Sequence, residues 1–69
     1  MNVLCVREHI IEDGKAQVKT IAIFKLDFIK SMHAEIIGDN IPSLCINTVN
    51  DYIIYYNDSE KACYDVTFS

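Results

Sequence analysis

The chain has no tryptophan, one proline, two glycines and no C-x-x-C pair. Each shortage closes off a class of function. Gly14 and Gly38 are too few and too far apart for a glycine-rich loop that cradles phosphate. Cys5, Cys45 and Cys63 are an odd number and share no pairing motif. They read as reduced, mostly buried thiols of an intracellular, cytoplasmic protein. The N-terminus lacks the basic region and apolar run of a leader. No apolar stretch approaches the ~18–20 residues of a membrane span. Positive charge is also short, with six basic residues against ten acidic ones and a net charge of −4. Arg7, Lys15, Lys19, Lys25, Lys30 and Lys61 are scattered, which excludes direct nucleic-acid binding through the phosphate backbone.

What is present is apolar. Hydrophobic residues make up 51% of 69 residues, so disorder is excluded and residues 1–69 form one small domain. A domain of this size buries only about 60% of the surface its unfolded chain exposes. Small domains supplement that with disulfides, a metal or oligomerisation. The composition therefore argues for a homodimer or a tight protein partner.

Residues 3–11 and 16–24 are rich in β-branched side chains and flank Asp13-Gly14, the strongest short signal for a two-residue type I′ hairpin. That turn sets Glu12 opposite Lys15, Glu8 opposite Lys19, Val6 opposite Ile21 and Leu4 opposite Ile23, with two opposite-charge pairs supporting the register. Toward the open end, Leu4, Val6, Ile21 and Ile23 form one apolar face, and Val3, Cys5, Ala22 and Phe24 the other. A sheet apolar on both faces is covered on both sides. Leu4, Val6, Ile21 and Ile23 are therefore candidates for a dimer interface. A β-bulge that rotates the strand accounts for the same pattern.

Between Lys25 and Ile37 the period changes. Phe28, Ile29, Met32, Ile36 and Ile37 recur at helical spacing, with Asp27 as N-cap and Gly38 as C′ residue. Residues 39–43, with Pro42, read as a loop, and residues 44–49 as a short strand. The order β-β-α-β-β-β predicts an α+β domain. Four or five antiparallel strands form its sheet, and one short α-helix packs on one face.

Residues 50–69 hold all four tyrosines and read as a second hairpin. Parity limits its faces. With an even loop, Ile53, Tyr55, Ala62, Tyr64, Val66 and Phe68 share the core face, and Tyr52, Ile54 and Tyr56 lie outside with Cys63, Asp65 and Thr67. With an odd loop, Tyr52, Ile54 and Tyr56 turn inward. Tyrosine suits an interface because a rigid apolar ring carries a polar tip.

Little here speaks for catalysis. Cys5 and His9 lie ~13 Å apart along a strand, too far to chelate one ion. Cys5, Cys45, Cys63, His9 and His33 show no metal-binding spacing, and no nucleophile signature occurs. No cofactor is expected. The leading expectation is a non-enzymatic, acidic protein that binds a basic protein partner through Asp51, Tyr52, Ile54, Tyr56, Asp58, Glu60 and Asp65. In charge and size it resembles phage-encoded inhibitors of host nucleic-acid enzymes, and acidic antitoxins and immunity proteins. The alternatives are a self-assembling accessory subunit and a small Cys/His metal or thiol protein.

Overall fold

The structure, a computed structural model, describes residues 2–38, 41–57 and 62–69. Six strands form two three-stranded antiparallel sheets. The first sheet has the order β2 (Lys15–Lys25), β1 (Val3–Glu12), β6 (Ala62–Phe68). The second has the order β3 (Ile29–Ile37), β4 (Ile41–Thr48), β5 (Tyr52–Tyr56). Helical structure among the described residues is limited to a single 3₁₀ turn at Leu26–Phe28. The α+β architecture expected from the sequence is therefore wrong, and the protein is nearly all β.

The first hairpin forms about the expected turn. Asp13 and Gly14 have φ of +52° and +75°, the two positive values a type I′ turn requires. Glu12 pairs with Lys15 and Glu8 with Lys19. Beyond that the register shifts at Val6/Arg7, so that Val6 pairs with Ala22 and Leu4 with Phe24. This is the bulge, and because side chains alternate, one extra residue turns the far half of β2 over. Ala22 and Phe24 face inward with Leu4 and Val6, and Ile21 and Ile23 are left exposed.

The segment expected to be helical is strand β3. Its apolar residues fit two periods. Met32, Ala34 and Ile36 alternate with His33, Glu35 and Ile37, and three isoleucines favour the extended chain. Pairing decides between the periods, since His33 meets Cys45, Ala34 meets Leu44 and Glu35 meets Ser43 across a ladder with β4. Gly38, expected as a helix terminator, has φ +57° just after β3. Strand β4 begins at Ile41 and takes in Pro42, so it is longer than expected. The next turn has no glycine. The Thr48 hydroxyl holds it, accepting from the Asp51 backbone N–H at 2.9 Å and donating to the Asp51 carbonyl at 3.2 Å.

The last two strands are not a hairpin. β5 pairs with β4 in one sheet and β6 with β1 in the other, so the chain crosses between layers after Asn57. The inner faces meet around Leu4, Val6 and Ile46, all at most 1% exposed. Phe24, Met32, Leu44, Tyr55, Tyr64 and Val66 pack around them. Tyr55 of one sheet lies on Tyr64 of the other, with ring centroids 5.3 Å apart. This core is small: among the described residues its fully buried side chains are Leu4, Val6 and Ile46.

Candidate functional site

Each sheet has an outer face, and the two faces point away from each other. On the β3–β4–β5 face the ladder aligns His33, Cys45 and Ile54 in one row. Glu35, Ser43 and Tyr56 form the next row, and Ser31, Asn47 and Tyr52 the row on the other side. Small side chains occupy the central strand and larger ones flank them. Cys45 is 0% exposed on this face, although it is not part of the inter-sheet core.

Four polar groups converge there. His33 Nε2 lies 3.1 Å from Glu35 Oε2. The Cys45 thiol, diagonal to Glu35 across the strand pair, points at the same oxygen at 3.7 Å. The ring of Tyr52 leans against His33, with centroids 6.5 Å apart. Its phenol pKa is pushed up to about 12, first by the neighbouring Cys45 sulfur, then by partial burial, with a smaller contribution from the Glu35 carboxylate. The ligand atoms of His33, Glu35 and Cys45 all lie within 4.8 Å of one another.

Reading this segment as a helix hid the cluster. Residues two apart point in nearly opposite directions on a helix and in the same direction on a strand. A helix would therefore set His33 and Glu35 on nearly opposite sides. The alternation around Met32 and Ala34 was the signal that pairs them.

The sequence-derived binding residues do not form one surface. Tyr52, Ile54 and Tyr56 share the outer face of β5, with Asp51 at its start. Asp65 lies on β6, on the opposite side of the molecule. Asp58 and Glu60 fall outside the described residues. Of the dimer-interface candidates, Leu4 and Val6 are core residues and offer no surface, whereas Ile23 is 65% exposed.

Asp65 has a structural role of its own. Arg7 donates to both its carboxylate oxygens, from Nε at 2.9 Å and from Nη2 at 2.6 Å. His9 Nε2 stands 3.0 Å from Oδ2 without the alignment of a hydrogen bond. The Arg7 bonds hold the Asp65 carboxyl below its ordinary pKa, against partial desolvation, with a smaller contribution from His9. On the inner face, the Tyr64 hydroxyl donates to Glu8 at 3.0 Å, and burial followed by that bond raises its pKa.

Charge divides unevenly along the sequence. Residues 1–25 and 62–69, which supply the β2–β1–β6 sheet, carry four acidic and four basic side chains. Residues 26–61 carry six carboxylates against Lys30 and Lys61, and so hold the whole net charge of −4. No helix among the described residues is long and apolar enough to cross a membrane. No protein-family model, curated protein or solved structure matches the chain. The functional reading therefore rests on its own residues.

Proposed function

We propose that the protein acts by binding another protein through the outer face of β3–β4–β5, with Tyr52 and Tyr56 as anchors. The observation that carries this is their placement: both are 52% exposed and flank Ile54 on one face of an edge strand. Half-exposed tyrosines beside an apolar residue make a good anchor pair, because their rings are rigid and lose little entropy on docking. Glu35 lies on this face and Asp51 at the start of its edge strand, so the partner presents a basic surface. Enzymes that handle nucleic acid present such surfaces, and on one of them the protein would act as an inhibitor or modulator. Three unpaired thiols fit a reducing, cytoplasmic setting.

The test is affinity capture from the native host with the parent chain, with Tyr52→Ala/Tyr56→Ala, and with Asp51→Lys. The double variant should weaken a specific partner by at least about tenfold, as hot-spot tyrosines do. Capture by the parent should fall as salt rises. A partner retained by the double variant and lost from an Ile23→Asp variant would place the interface on the other sheet.

One observation favours a second reading, self-association. Val18, Ile21 and Ile23 are all more than two-fifths exposed on β2, and the core is thin. Sedimentation decides it, since a clean monomer at micromolar concentration contradicts a β2-mediated dimer.

A further inference from the structure

The geometry points to a zinc-class metal site formed by His33 Nε2, Glu35 Oε2 and Cys45 Sγ on the outer face of β3–β4. It is independent of the protein-binding reading and stands or falls without it. Zinc takes nitrogen at about 2.0–2.1 Å, carboxylate oxygen at about 2.0–2.2 Å and thiolate at about 2.3 Å, usually in a tetrahedron. In a tetrahedron of those bond lengths, neighbouring donors are about 3.3–3.7 Å apart. The nitrogen–oxygen and sulfur–oxygen separations here are 3.1 and 3.7 Å, and all three donors lie within 4.8 Å. The His33 nitrogen and the Cys45 sulfur, up to 4.8 Å apart, would have to close by as much as about 1 Å, a shift that rotation of the half-exposed His33 and Glu35 side chains can supply.

The donor set selects the metal class. One imidazole, one carboxylate and one thiol is a borderline-soft mixture that suits zinc and its first-row neighbours, whereas calcium and magnesium take oxygen. Three protein donors leave a fourth position open toward solvent, as in zinc sites that hold a water. Cys45 is held fully buried while His33 and Glu35 are half-exposed, so the sulfur forms the floor of the site and the ion enters from outside. The Tyr52 ring stands beside the imidazole as a supporting neighbour, with centroids 6.5 Å apart. Binding forms a metal–sulfur bond and releases the thiol proton to solvent.

The grouping also has an ordinary explanation, a surface His–Glu pair above a small central-strand cysteine. Titration of the full-length reduced protein with Co²⁺, then displacement by Zn²⁺, separates the two. The site predicts one equivalent of Co²⁺ with a thiolate-to-cobalt charge-transfer band, lost on adding Zn²⁺. His33→Gln and Glu35→Gln should each weaken binding by at least about tenfold, since loss even of a group supporting a ligand costs that much. Cys5→Ser and Cys63→Ser should leave the band and stoichiometry intact. Cys45→Ser should abolish the band. If that variant fails to fold, the two half-exposed positions decide the matter. Absence of a thiolate band, or affinity unchanged in both His33→Gln and Glu35→Gln, overturns the site. A band that vanishes only with Cys5 or Cys63 overturns it equally.

Discussion

Replacing Leu4 by alanine removes a side chain that is 1% exposed at the centre of the inter-sheet core. Leucine-to-alanine changes at such positions cost about 2–5 kcal/mol, from lost transfer energy and the cavity left behind. A chain of 69 residues has a total stability of about 3–10 kcal/mol at ordinary values per residue. Leu4→Ala therefore removes a large fraction of the whole. With a urea m-value of about 1 kcal/mol/M, the midpoint falls by about 2 M or more, or the protein unfolds outright. Ile23→Ala is the control. The register without the bulge sets Ile23 opposite Leu4 on the same face, but the bulge leaves it 65% exposed. Its loss should cost no more than about 1 kcal/mol, the span of strand propensity. Urea melts followed by far-UV circular dichroism at two protein concentrations read both variants. Equal, concentration-independent losses for Leu4→Ala and Ile23→Ala would refute the bulged register.

Gly14→Ala meets no neighbouring atom but must hold φ +75°, so it should cost about 1–2 kcal/mol in the same assay. Gly14→Asn should cost less, and an unchanged midpoint for alanine would contradict the type I′ turn. Asp65 has a lowered pKa in the folded state, so its contribution is complete above the unfolded carboxyl value of about 3.9 and is lost as pH falls through the lower folded value. Asp65→Asn should therefore be less stable than the parent at pH 7 and converge with it at strongly acid pH. A difference that persists undiminished in acid would show that the Arg7 pairing is not its source. A double-mutant cycle on Tyr55→Leu and Tyr64→Leu should give a coupling of about 0.5–1.5 kcal/mol, and zero coupling would contradict the contact between sheets.

How much of this was legible in the sequence differs from element to element. The first hairpin was, because Asp13-Gly14 is a local signal and its charged pairs agree with it. The bulge was foreshadowed only by a strand apolar on both faces, and its position depends on which side chains the second sheet accepts. β3 was misread because Phe28, Ile29, Met32, Ile36 and Ile37 satisfy a helical period, while a ladder with β4, the next strand, overrides it. β5 and β6 alternate as the even-loop parity describes, with Tyr55 and Tyr64 inside and Tyr52 and Tyr56 outside. That they belong to different sheets is a property of topology, which alternation does not encode. The same blindness spread one binding surface over two opposite faces and separated His33 from Glu35.

The central claim is that residues 29–37 are a strand, because only a strand places His33 and Glu35 beside Cys45. Isotope-edited NMR of the full chain tests it most directly. The structure predicts extended-chain chemical shifts over 29–37 and cross-strand backbone Overhauser contacts between His33 and Cys45 and between Glu35 and Ser43. Helical shifts over the same residues, with contacts from each residue to the third one along, would contradict it.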